Sequence, residues 1–419
     1  MKALALSFCA LLGACAGIQR EGIALSSLES DAAAHAALDR VPAAMLRSRV
    51  VMLGEPDHYV HEKYRYQLLF VRYLFEKGWR QIGFEMGRTG GKRLQRYLES
   101  GDEKWLPGND PAATGRPAPT GILAFDPRAE WLLNDRRERA RFMRVLRALN
   151  ETRPRGTSPL HVFGFDVDFF ATEGYAEVDA LIGTDPTLAP IVGVLAEARD
   201  ADELTQALQV DRASAWLVSQ RDVVVASLGE ARTNELTASL RCLADSLRFN
   251  AVSLHEPSAD ALDAAYAIRE HTMFRQMDER LRDTNDKIVL IGHNMHLSKA
   301  SSSIRFGIDR PMWPSVGTYL ANQLGDRAFG VWMLYARGEH GAVKCRDRGC
   351  VVAPPADIVE GTLAKLGPLR MFVVDRRHRR PTSWFESVRF IQNGQLGTGA
   401  LGAQADLIVF VEEVHAPQP

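Results

Sequence analysis

Short apolar runs that end at glycine alternate with longer stretches of helical period along most of the chain. Residues 49–54, Arg-Val-Val-Met-Leu-Gly, form a continuous apolar run of the kind expected for a parallel strand buried on both faces. A helix is predicted over residues 59–77, where Leu68, Leu69, Val71, Leu74 and Phe75 make an apolar stripe and Gly78 stops it. Residues 81–86 read as a second strand, which completes a β-α-β unit of the length a right-handed parallel crossover needs. Residues 161–165 and 287–292 repeat the pattern, and later strands are expected at 327–334, 371–374 and 407–411. A charged helix is predicted over 127–150 and a helical lead-in over 24–44, while 106–127, rich in Pro and Gly, reads as a long surface loop. Residues 172–282 are mostly of helical period and read as an insertion. The predicted fold is a three-layer α/β/α domain over 48–419, with a mostly parallel central sheet and a helical insertion at about 172–282.

Charge and composition narrow the function classes. Lys and Arg number 51 against 52 Asp and Glu, so no cationic surplus exists to neutralise nucleic-acid phosphates, and no nucleic-acid partner is expected. Hydrophobic residues make up 46% of the chain, which suffices for a globular core, yet no run reaches the roughly 18 apolar residues of a membrane-spanning helix. The N-terminus is different: Lys2 precedes a short apolar stretch, residues 3–14, that ends in Leu12-Gly13-Ala14-Cys15. This resembles the bacterial lipobox. The resemblance implies a signal peptide over 1–14, a lipid on Cys15 and a tether with the helical lead-in over 15–47. Ala16, which is not an aspartate, implies an outer-membrane lipoprotein facing the periplasm. The lipid would be the contact with the membrane. Cys345 and Cys350 flank a polar loop between two short β-prone runs, and a disulfide between them is expected in an oxidising compartment. Cys242, on a predicted helix, reads as a small core hydrophobe.

Candidate chemistry sits where the strands end. The first predicted strand leads into Glu55-Pro56-Asp57-His58 and the second carries Glu85. The third ends in Asp166 and Asp168, and the fourth leads into His293-Asn294-Met295-His296. Open α/β sheets place ligands at this carboxyl edge, and charged groups there must be paired or used because burial strips them of water. A single histidine or carboxylate of this kind is as readily a cap or a satisfied loop residue. Four strand ends carrying them together point to one site.

These residues resemble the erythromycin esterase family, part of a superfamily that also holds haem-binding iron-regulated lipoproteins and Tiki-type metalloproteases. Its G-E-x-x-H corresponds to Gly54, Glu55 and His58, its F-E to Phe84 and Glu85, and its H-N-x-H to His293, Asn294 and His296. Weaker correspondences include Trp131, Asn150, Gly164-x-Asp166, Arg269-x-x-x-Met273 and Ser315-x-Gly317. The resemblance extends over about residues 50–415. Three departures stand out: Gln67 where the family has an arginine, Pro56-Asp57 after the first glutamate, and Gln276 in place of an asparagine. Arg65, two residues before Gln67, is the substitute candidate for holding substrate, together with Asp166 and Asn294.

The resemblance implies a hydrolase acting on an ester or lactone of a small molecule. His58 would activate water, Glu55 or Glu85 would orient it, and His293 and His296 would stabilise the oxyanion. No G-x-S-x-G elbow occurs, which argues against a serine nucleophile. No cofactor is expected. Two rival readings stay open. One is a metal-dependent hydrolase of the Tiki type, with His and Glu as ligands. The other is a lipoprotein binding haem or another ligand, for which Tyr59, Tyr64 and Tyr66 lie near His58.

Overall fold

The computed structural model describes residues 22–107, 130–255, 258–306, 310–340, 350–352, 358–374, 388–392 and 395–418. The strands, in chain order, are β1 (Ile23–Ala24), β2 (Val50–Glu55), β3 (Gln81–Gly87), β4 (His161–Asp166), β5 (Ile288–His293), β6 (Arg305–Phe306) and β7 (Arg310–Pro311). They continue with β8 (Ala328–His340), β9 (Cys350–Val352), β10 (Leu369–Val373), β11 (Val388–Gln392), β12 (Gln395–Gly399) and β13 (Leu407–Val414). Nine of them form one sheet in the order β1-β10-β13-β8-β2-β5-β3-β4, with β9 paired to β8. From β13 to β4 every neighbour along that order runs parallel, and β1, β9 and β10 pair antiparallel. The remaining four make a small antiparallel sheet.

Two layers of helices cover the main sheet because its central strands are apolar on both faces. Successive side chains alternate, so Val51 and Leu53 of β2 face one way and Val50 and Met52 the other. The first set packs against helices α1 (Ala32–Leu38), α3 (His61–Glu76), α4 (Arg88–Ser100) and α5 (Glu130–Glu151); a short α2 (Ala44–Arg47) lies between α1 and β2. The insertion follows as α6 (Ala171–Ile182), α7 (Ala189–Ala198), α8 (Glu203–Ser219), α9 (Arg221–Leu228) and α10 (Glu230–His255) around a core of their own, including Val178, Ile191, Val210, Leu236 and Leu243. The next helix, α11 (Ala259–Asp283), returns to the sheet and packs Met273 and Met277, with α12 (Val316–Leu324), on the face opposite α3. Beyond it the small sheet, α13 (Val359–Leu363) and α14 (Leu401–Gln404) cover Trp332, Leu334, Phe372 and Phe410.

The predicted parallel strands are present, with ends displaced by a few residues, and β8 runs on to His340; the helices expected over 172–282 divide into α6–α10, which share a core, and α11, which packs on the sheet. Three features depart from the sequence pattern. The lead-in over 24–44 is not one helix: Ile23 and Ala24 add to the sheet edge by backbone pairing with β10, and only α1 and α2 are helical. β1 and the small sheet were not expected, because strands of two to five residues held by partners far along the chain leave no period of their own. The signal segment 1–14, Cys15, Cys345 and most of the 106–127 loop lie outside the described residues, as does the side chain of Cys350. The expected Cys345–Cys350 disulfide falls there with them. Cys242 is buried, and burial pushes its thiol up to about 12, which keeps it protonated and unreactive.

Two glycines let the strand ends close together. A Cβ on Gly54 would lie 2.1 Å from Asn294 Oδ1, and one on Gly292 would lie 2.8 Å from Glu85 Oε2. Gly54→Ala should therefore force the Asn294 turn away from β2 and cost about 1–3 kcal/mol. Urea denaturation of the two proteins measures this, and an unchanged midpoint would mean that the turn yields freely.

Candidate active site

The order β2-β5-β3-β4 sets four parallel carboxyl ends side by side, so Glu55, His293, Glu85 and Asp166 share one edge of the sheet. Glu55 stands opposite His293 in the register. The chain runs from β2 past the β5 position to β3 and β4, returns to fill β5, and then crosses to β8 on the other flank of β2. Such a reversal leaves a crevice at the carboxyl ends, where no crossover helix covers them.

Glu55 follows Val51 and Leu53 on the face toward α3 and is buried. Its Oε1 accepts from Lys63 Nζ at 3.2 Å and meets His58 Nδ1 at 3.0 Å; its Oε2 accepts from Gln67 Nε2 at 2.7 Å. Lys63 and Gln67 are four residues apart and so share one face of α3. Lys63 also donates to the His58 carbonyl, which fixes the turn that carries the imidazole. Burial pushes the Glu55 carboxyl up, but the Lys63 ammonium and the His58 ring outweigh it and hold it at about 2. His58 is the exposed member, with 38% of its side chain accessible; its Nε2 has no hydrogen-bond partner among the described residues. Asp57, beside it, accepts from the Tyr335 hydroxyl at 2.6 Å and ties the loop to β8.

Glu85 points to the opposite face, toward α11. It accepts from Arg269 Nη2 at 2.7 Å and from the His293 backbone N–H at 2.5 Å, and His296 Nε2 lies 3.3 Å from it. Burial raises the Glu85 carboxyl, and the surrounding His296, His58 and Arg269 reverse this and hold it well below the carboxylate range. Arg269 also grips Asp166, with Nε at 2.9 Å from Oδ1 and Nη2 at 2.5 Å from Oδ2. His296 lies between two acids, since its Nδ1 bonds Glu270; burial works against its charge, but Glu270 and Glu85 raise its pKa. Glu270 in turn accepts from Trp313 Nε1 at 2.9 Å and the Val316 N–H at 2.7 Å, and Trp313 stacks on Tyr266 at 3.9 Å.

The two clusters meet across a cleft of about 50 Å³ lined by Glu55, His58, Lys63, Glu85, Arg139 and Gly292, among others. Of the sequence candidates, Glu55, His58, Glu85, Asp166, His293 and His296 come together at this edge. The His58 and His293 rings are 5.1 Å apart, and those of His293 and His296 are 6.3 Å apart. His293 has both nitrogens engaged: Nε2–H donates to the Pro56 carbonyl at 2.8 Å and Nδ1 accepts from the Met295 N–H at 3.2 Å. Burial and the nearby His58 lower it to about 4, so it is a neutral brace for the 56–58 turn with no N–H directed at substrate. Asn294 is fully buried and donates to the Met333 carbonyl and Gln392, both at 2.9 Å, which directs it away from the cleft. Arg65 does not join the cluster: its helix face is the outer one, and it pairs with Glu29 at 2.5 Å. Asp168 binds the N–H and hydroxyl of Thr89, both at 3.0 Å, at the start of α4.

Lys63, Glu270 and Asp135, the last 3.6 Å from Lys63, were not anticipated. A signal for two of them existed. Lys63 and Gln67 interrupt the buried face of α3, and Arg269, Glu270 and Gln276 occupy buried positions among Ala265, Met273 and Met277 on α11. Among the described residues no three His, Cys, Asp or Glu side chains are grouped to hold a metal ion.

A sequence profile of the erythromycin esterase family matches residues 75–414, most of the chain. The chain belongs to the erythromycin esterase family. The matched region begins within α3, after Glu55 and His58, so the first motif stands on the geometry described above. No curated protein matches the sequence. A Bacillus cereus protein of solved structure is similar at TM-score 0.74 with 16% identity, over 97% of this chain and 98% of that one. A protein titled as a succinoglycan biosynthesis protein gives 0.70 with 14% identity, over 96% and 97%. A mutant of the erythromycin esterase EreC in its open conformation gives 0.67 with 17% identity, over 93% and 97%. At these identities the structures establish the shared fold, which is the α/β architecture expected from the sequence.

The Glu55 cluster should make stability depend on pH in a defined window. A carboxylate held at about 2 when folded, against an ordinary value of 4.5, contributes stability that is complete above 4.5 and lost as pH falls toward 2. The contribution is on the order of 3 kcal/mol. Urea unfolding between pH 6 and about 2 should show a shallower loss in Glu55→Gln than in the wild type; parallel curves would mean that Lys63 does not hold the charge.

Proposed function

We propose that the protein hydrolyses an ester or lactone of a small molecule, with His58 activating the attacking water. The supporting observation is the Glu55–His58 pair at the cleft, where Nδ1 is committed to a buried carboxylate and Nε2 has no partner among the described residues on a half-exposed ring. Donation from Nδ1 to Glu55 fixes the tautomer in which Nε2 carries the lone pair, so that atom can take a proton from water. The imidazolium formed in that step is stabilised by the carboxylate, which stays ionised because Lys63 and Gln67 hold it. As the carbonyl becomes tetrahedral, the negative oxygen would be met from the Glu85 side by the Arg269 guanidinium, since His293 has no N–H to offer and both His296 nitrogens face carboxylates. The cleft has room for a water and little more, so most of the substrate would lie outside it.

The substrate assignment stops at the bond type. Gln67 occupies the place of the family's arginine and spends its amide on Glu55, so the cleft has no cation there for a substrate oxygen. The reading uses no cofactor. It also includes attachment to the bacterial outer membrane, facing the periplasm, through a lipid on Cys15; this rests on the Leu12–Cys15 motif.

A panel of nitrophenyl esters, lactones and macrolides tests the activity. His58→Ala should lower kcat by about 10²–10⁴-fold on any substrate turned over, with unchanged thermal unfolding. Equal turnover by the two proteins would remove the general base. Enzyme stripped with EDTA should keep its rate; recovery only on adding a divalent metal would point instead to metal-dependent hydrolysis. Cys15→Ala should move the protein from the membrane to the soluble fraction of the envelope.

A further inference from the structure

A second cavity, of about 830 Å³, lies along the outer edge of β4 between α4, α10 and α11, and shares no lining residue with the catalytic cleft. Its wall carries six Arg and Lys side chains against four Asp and Glu, a surplus of cations in a chain that is otherwise balanced. Among the described residues, four polar atoms of the lining are buried without a partner: Arg88 Nε, Arg280 Nε, His161 Nδ1 and Gln276 Oε1. Each such atom is costly to bury when nothing meets it, and four in one wall form a pattern a ligand would satisfy. Gln276 is only 6% exposed, and its amide nitrogen is fixed on the Asp166 carbonyl at 3.0 Å, so its oxygen cannot turn away to find another donor.

The existing pairs leave these atoms unserved. Arg88 meets Glu235 through Nη2 at 2.8 Å, and Arg280 reaches Gln81 through Nη2, which leaves both Nε–H groups unspent. Burial and the facing Arg280 lower His161 to about 4, so the ring is neutral and the nearby positive charge comes from the arginines. An added strand is not what fits here. The Val162 N–H is already taken by Gln95 at 2.8 Å, and α4 crosses so close that a Cβ on Gly91 would lie 1.8 Å from Gly164 N. An apolar ligand has little to meet in so charged a lining.

We propose that this cavity binds a small hydroxylated anion, with anionic oxygens accepting from Arg88 and Arg280 and a hydroxyl donating to Gln276 Oε1. Phosphate and carboxylate share that chemistry, and a sugar phosphate or an open-chain sugar acid would supply the hydroxyls. Isothermal titration with glucose 6-phosphate and with gluconate separates the two sources, with inorganic phosphate and glucose alongside. At least one of the two sugar acids should bind saturably and more tightly than inorganic phosphate, and glucose should not bind. Arg88→Gln and Arg280→Gln should each weaken binding about tenfold or more. His58→Ala should leave it unchanged, because the catalytic cleft is elsewhere. Thermal midpoints without ligand show which variants fold. No saturable binding by either sugar acid would overturn the proposal. So would binding as tight to phosphate alone, full affinity in a folded arginine variant, or loss of binding in His58→Ala.

Discussion

Ionised carboxylates buried at the ends of apolar strands are the constraint around which the rest of this protein is arranged. The side chains of Glu55 and Glu85 are almost fully removed from water, and an uncompensated carboxylate there would protonate. Each is instead met by a cation drawn from a different helix: Lys63 from α3 for Glu55, and Arg269 from α11 for Glu85. The opposite faces of the two acids follow from strand alternation, so the cations arrive from opposite layers. The three-layer architecture is thus what allows two buried acids to stay charged within one cleft.

The compensation also sets the state of the three histidines. His58 leans on one carboxylate and keeps an edge in solvent; His296 lies between two and is held toward its charged form; His293, facing backbone partners only, is held neutral. Identical side chains within a few ångströms acquire distinct tasks from their partners. The same logic accounts for Gln67. Lys63 supplies a cation to Glu55, and a neutral amide at Gln67 completes the carboxylate's hydrogen bonds without adding charge.

Much of this was legible along the chain. The apolar runs ending at Gly54 and Gly292 marked the strands, and the acids and histidines following them marked the edge. Lys63 and Glu270 passed unnoticed because a charged residue at a helix position normally faces water, and nothing local says that the partner helix or strand will bury it. Arg65 was misjudged for the converse reason. Its position in sequence is close to His58, but two residues along a helix turn the side chain by about 200°, and here that is toward Glu29. Asn294 lies within a motif of functional residues yet turns into the core, since Gly54 leaves the space into which it packs.

The sequence by itself determined the main strands and helices, the family and which residue types stand at the strand ends, because period, glycine stops and motif spacing are local properties. Only the tertiary structure decided which of those residues face one another. Strand order put β5 between β2 and β3 and so brought His293 beside Glu55 and Glu85. The protonation of Glu85 and of His161, and the charged cavity along β4, depend on charges contributed by elements a hundred or more residues apart, and such sums exist only once the chain has folded.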